Sequence, residues 1–202
     1  MFDPYKTLGF TGTRHLSIYR AAAIGRITLY ARQAGCTILV GCANGADAAV
    51  RAAAPQAIVL SVRDYLRIPT IQARLAVRSA ALVTALVTQS PRSALVAFPG
   101  QGCPARLTPC RNPFQVFGPG TWATVAMAIH HTVPVFVFGT THVTPPDHWG
   151  SWQRQYSGPM AGAYLYQAGP SNFEADAAAT IPQDVDDRLQ YQAATQTGIP
   201  CF

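Results

Sequence analysis

The chain holds one glutamate, Glu174, and one lysine, Lys6, among its 202 residues. Each scarcity excludes something. With no GK[ST] anywhere, a Walker phosphate loop is ruled out. No G-x-G-x-x-G follows the first apolar segment, so the dinucleotide fingerprint is missing as well. No nucleophile-elbow motif is present to support a Ser-His-Asp triad. The five cysteines, Cys36, Cys42, Cys103, Cys110 and Cys201, form no CxxC pair and leave an odd one over. A zinc site needs about four ligands, and only Cys103 and Cys110 lie near each other, so no metal is expected. Free thiols are the default in a cytosolic protein, with a Cys103–Cys110 clip under oxidising conditions as the alternative. No stretch approaches the roughly 20 apolar residues that span a bilayer. The opening "MFDPYKTLGF" has no basic segment leading into an apolar run. The expectation is a cytoplasmic protein with no membrane partner.

What is present points to a packed domain. Hydrophobic residues make up 49% and charged residues 12%, which excludes disorder over the whole chain. Of the fifteen basic residues, fourteen are arginine, and the formal net charge is +6. Arginine grips phosphate and carboxylate in a bidentate fork, so a phosphate-bearing partner is one reading and a compositional bias the other. The basic residues are scattered, without the dense block of a dedicated DNA-binding surface.

Short apolar runs of strand length, "TLGFTG", "CTILVG", "QAIVLSV", "SALVAFPG" and "VPVFVFG", alternate with segments of helical periodicity. That alternation predicts parallel strands covered on both faces. The expected fold is α/β: a Rossmann-like, doubly wound, mostly parallel sheet of about five strands. It would fill residues 1–139, with a Pro/Gly/aromatic-rich C-terminal extension over 140–202 packed on or beside it. Within the extension, "DVDDRLQYQAATQTG" reads as one short amphipathic helix.

In such sheets ligands bind beyond the carboxyl ends of the strands, and four segments should gather there. "FTGTRHLS" offers Gly12 for close approach, with Thr13 and Arg14 as donors. "GCANGADAAV" offers Gly41 and Gly45 for tight turns, and Asp47 at a helix start. A carboxylate there either satisfies the helix N-terminus or holds a ribose hydroxyl or acts as a base. Arg74 and Arg78 share one helical face. "GPGTW" opens a helix whose N-terminal amides form an anion site, with Gly118, Gly120 and Thr121 admitting a phosphate. His130 and His131 close that helix and read as C-terminal caps.

The ordered set "FTGTR", "GCANGADAAV", "ARLAVRSAALV", "SALVAFPG…GPGTWATVAMA" and "VPVFVFG" resembles the SLOG superfamily. That group includes the DNA-processing protein A family and the lonely-guy phosphoribohydrolases. The small stand-alone YspA-like members are the most similar. The resemblance spans residues 8–139. It implies a Rossmann-like domain binding a nucleotide or nucleotide-derived molecule without a cofactor, and a homo-oligomer. Arg78 matches the arginine before the fourth strand, and Gly120 and Thr121 the phosphate-loop Gly-Thr. "FPG", with Gly100, and "GPGT" look like halves of one PGGxGT-type loop. The interruption brings Arg106, Arg111 and Asn112, as a flap over the ligand or as an exposed excursion.

One departure divides the functional readings. Lonely-guy hydrolases carry a glutamate three residues after the motif threonine, and this chain has Thr124 there. Asp47 is then the one candidate catalytic residue. Three readings stay open: a nucleotide-binding sensor, carrier or sequestering protein; a nucleotide N-glycosidase using Asp47; and a single-stranded nucleic-acid binder.

Overall fold

A computed structural model describes residues 5–89, 91–118 and 120–167. Glu174, Cys201 and the expected helix in "DVDDRLQYQAATQTG" lie outside the described residues. The chain runs β1 (Thr7–Gly12), α1 (Ile18–Gln33), β2 (Thr37–Gly41), α2 (Ala46–Ala53), β3 (Ile58–Leu60) and α3 (Ile71–Thr88). It continues as β4 (Ser93–Phe98), a short α4 (Phe114–Phe117), α5 (Thr121–His130), β5 (Val135–Val137), β6 (Ser151–Arg154) and β7 (Tyr164–Gln167). All seven strands form one sheet, in the order β3-β2-β1-β4-β5-β7-β6.

The first five strands are parallel, and helices cover both faces, so the fold is the doubly wound one that the alternation dictates. Strand residues alternate between two cores. Leu8, Phe10, Ile38, Val40, Ala94 and Val96 pack against Ile24 and Ile27 of α1 and Val50 of α2. On the other face Leu39, Leu95, Ala97, Val135 and Val137 pack against Leu82, Val83 and Leu86 of α3 and Val125 and Ile129 of α5. Strand β4 is buried along its whole length, as a central parallel strand must be.

The strand count corrects the expectation of about five. Strand β7 adds to β5 in antiparallel sense, and β6 pairs antiparallel with β7, so residues 140–167 extend the same sheet. These strands carry no apolar run. They are held by same-face pairs, Trp152 opposite Tyr166 and Arg154 opposite Tyr164. Trp152 and Tyr166 meet edge-on at 5.1 Å, and the Arg154 guanidinium lies 5.6 Å from the Tyr164 ring.

Helix α3, with 18 residues and a mean hydropathy of 1.3, is long and apolar enough to cross a bilayer. This departs from the sequence expectation that no stretch is long and apolar enough; its Leu82, Val83 and Leu86 pack into the core beneath β1 and β4. Strand order reverses between β1 and β4, because β2 and β3 lie to one side of that pair and β5 to the other. In an open α/β sheet that reversal leaves a crevice at the carboxyl ends of the two strands.

Candidate functional site

The crevice is there. A cleft of about 770 Å³ opens over the ends of β1 and β4. It is lined by Gly12, Thr13 and Arg14 after β1, by Gly100 after β4, and by Gly120 and Thr121 at the start of α5. Asp47 of α2 and Arg78 of α3 complete its polar side. The volume falls within the range of small-molecule sites, roughly 300–1,000 Å³.

Backbone hydrogen bonds knit the loops into one floor. The Thr13 N–H donates to the Phe98 carbonyl at 2.9 Å, and the Ala46 N–H to the Thr13 carbonyl, also at 2.9 Å. Gly45 sits at φ 73°, and a Cβ there would collide with the Thr13 carbonyl oxygen. Gly41 lies under the Asp47–Arg78 pair, where a Cβ would meet the Asp47 carboxylate and the Arg78 guanidinium. Both glycines therefore act by close packing, and neither lines the cleft. Gly118 ends α4 at φ 63° and does not line it either.

Asp47 is 4% exposed. Its Oδ2 accepts from the Ala43 N–H at 3.2 Å and from Arg78 Nη1 at 3.3 Å. Burial pushes its carboxyl above the usual carboxylate value; Arg78, the Ala43 amide, Arg51 and Arg14 pull the other way without overcoming it. Arg14 is exposed and makes no hydrogen bond or ion pair among the described residues. With two arginines against one aspartate, the cleft carries a surplus positive charge.

Helix α5 adds to that charge. Its N-cap, Gly120, offers no side-chain acceptor, whereas α1 and α3 are capped by Ser17 and Thr70. First-turn N–H groups have no partner inside a helix. Here they face the cleft with the positive end of the helix dipole behind them. Thr124 is 1% exposed and turns its hydroxyl back to the Gly120 carbonyl at 3.0 Å. It does not line the cleft.

Apolar side chains make up another part of the lining. Ile71 and Leu75 share a face of α3 with Arg78, and Pro104, Leu107 and Phe117 come from the stretch that interrupts the loop. The interruption thus supplies a wall by its apolar residues. Arg106, Arg111 and Asn112 are exposed and line no part of the cleft. Arg74 turns away too: its Nε donates to the Ile68 carbonyl at 2.6 Å and its Nη2 to that of Leu66 at 3.2 Å.

Two residues that shape the site carry no local sequence signal. Arg20 donates from Nη2 to the carbonyls of Pro99 (3.1 Å) and Phe138 (3.2 Å), joining the loops after β4 and β5. Arg51 Nη1 holds the Gly41 and Ala43 carbonyls at 2.7 and 3.0 Å. Their partners lie across tertiary contacts that spacing does not encode. Leu75 was within reach of periodicity, being the turn between Ile71 and Arg78.

Among the described residues no group of three or more His, Cys, Asp or Glu is placed to hold a metal ion. Cys36, Cys42, Cys103 and Cys110 are free thiols, and burial pushes Cys103 up to about 11. No family model, curated protein or solved structure matches the chain.

Proposed function

We propose that the protein binds a nucleotide or nucleotide-derived small molecule in the β1/β4 cleft and acts as a sensor, carrier or sequestering protein in the cytoplasm, as a homo-oligomer. One observation carries the reading. The N-terminus of α5, which has no side-chain cap, Arg14, which makes no hydrogen bond or ion pair among the described residues, and the Asp47-held Arg78 line one cleft together with apolar side chains. A phosphate would rest on the α5 amides, Thr121 and Arg14. A base would lie on Ile71, Leu75 and Phe117, and the ribose between them. This division suits a ligand charged at one end and flat and apolar at the other. The SLOG resemblance supports the same reading. Native mass spectrometry of freshly purified protein tests it: a nucleotide-class molecule released on denaturation is the expected result. Empty protein whose melting temperature ignores a panel of nucleoside monophosphates contradicts it.

A second reading, cleavage of the N-glycosidic bond, is favoured by the Asp47 carboxyl on the cleft lining, which burial raises above the usual carboxylate value. It requires Asp47→Asn to abolish turnover while binding persists. Single-stranded nucleic acid fits less well. Arg20, Arg32, Arg51 and Arg74 spend their guanidinium groups on backbone carbonyls and do not form a basic track. That reading requires a logarithmic salt slope of about 0.7 per phosphate contact, summed over many contacts.

A further inference from the structure

The turn leading into β6 reaches the stretch that borders the cleft through an indole. Trp149, 5% exposed, donates from Nε1 to the Leu107 carbonyl at 2.9 Å. Leu107, 1% exposed, is part of the apolar cleft wall, and its own N–H closes a turn onto the Pro104 carbonyl at 3.0 Å. Trp149 also stands edge-on to Trp122, with ring centroids 5.9 Å apart. Trp122, in the first turn of α5, donates from Nε1 to the Gln101 carbonyl at 2.7 Å. The stretch between β4 and α5 is thus fastened at Gln101 and at Leu107 by two indoles that pack on each other. Behind Trp149, the Tyr166 hydroxyl of β7 donates to the Trp149 carbonyl at 2.9 Å.

From this geometry we infer that residues 140–167 buttress the cleft, with Trp149 as a positioning residue that fixes the Leu107 wall and thereby sets ligand affinity without touching the ligand. The physical reason lies in the carbonyl. A buried backbone C=O that loses its donor must find water or another partner. The 104–107 turn reaches water only by moving, and the wall moves with it. Packing asks only for an aromatic ring that fills this space, whereas the wall needs the indole N–H. The affinity consequence rests on the ligand-binding reading of the cleft; the fastening of the wall does not.

Trp149→Phe keeps a ring against Trp122 and removes the donor. Trp152→Phe is the control, because its indole donates to the Pro146 carbonyl at 3.1 Å, away from the wall. Amide hydrogen exchange at Leu107 is expected to quicken about tenfold in Trp149→Phe, the equivalent of one net hydrogen bond, and to stay unchanged in Trp152→Phe. Affinity for adenosine monophosphate is expected to fall about tenfold in Trp149→Phe only, at matched melting temperatures. Equal protection of Leu107 in both variants overturns the inference, and so does faster exchange at Leu107 with undiminished affinity. If the wild-type protein binds no adenosine monophosphate, the ligand reading fails, and the exchange comparison alone decides the buttress.

Discussion

Asp47 and Arg78 face each other at 3.3 Å with side chains 5% and 13% exposed, so neither can lose its partner cheaply. Removing one member of a buried pair strands the other charge, at a cost of about 3–5 kcal/mol. Arg78→Ala leaves the more buried group uncompensated and is expected to destabilise by about 3 kcal/mol in urea unfolding. Asp47→Asn is expected to cost less, since Arg78 borders the cleft and can reach water. In the double variant most of the Arg78→Ala loss should return. Additive losses would show that the pair is not coupled. His131 gives a pH signature of opposite origin. Burial, then His130 and Arg111, hold its imidazole below the usual 6.5. Its neutral form is favoured in the folded state, so its contribution is present above pH 6.5 and is lost as pH falls through the lower folded value. His131→Asn should therefore lose less stability than the wild type between about pH 7.5 and about pH 5, read from urea midpoints. An unchanged pH dependence would remove His131 from the account.

Helix α5 starts without a side-chain cap, and its first residues line the cleft. Gly120 has extended backbone at φ −173°, which any residue adopts, and nothing lies within 4 Å of a Cβ built there. Gly120→Asp would supply the missing cap and a charge at the positive end of the dipole. It is expected to gain a few tenths to about 1 kcal/mol in stability and to abolish phosphate binding. A stabilised variant that still binds would place the anion elsewhere. Elements with a strong local pattern were legible from sequence: the five parallel strands as apolar runs, and α1, α3 and α5 by helical period. The strands β6 and β7 were not, because "SWQR" and "YLYQ" bury little and are specified by cross-strand pairing. The site divides along the same line. Gly12, Thr13, Arg14, Asp47, Arg78, Gly100, Gly120 and Thr121 line the cleft because loops after parallel strands end at one edge. Gly41 and Gly45 were legible as special positions, but sequence could not say that they pack against Asp47, Arg78 and Thr13. Arg20 acts through long-range bonds to carbonyls and Arg51 through bonds back across the β2–α2 loop, and no spacing rule finds those.

For the whole molecule, the sheet order places a crevice at the β1/β4 reversal, lined by two arginines, Arg14 and Arg78, against one aspartate, Asp47. The central claim is that this crevice binds a phosphate-bearing small molecule, and Arg14 isolates it best. Arg14 is exposed and makes no hydrogen bond or ion pair among the described residues, so its loss should change stability by no more than about 0.5 kcal/mol. A charge-assisted hydrogen bond of about 1.5–3 kcal/mol corresponds to roughly 10–100-fold in affinity. The decisive measurement is isothermal titration of adenosine monophosphate into the wild type and Arg14→Ala, with melting temperatures recorded alongside. The account predicts binding by the wild type and a loss of that size in the variant at an unchanged melting temperature. Equal affinity in the two proteins, or no binding by either, would contradict it.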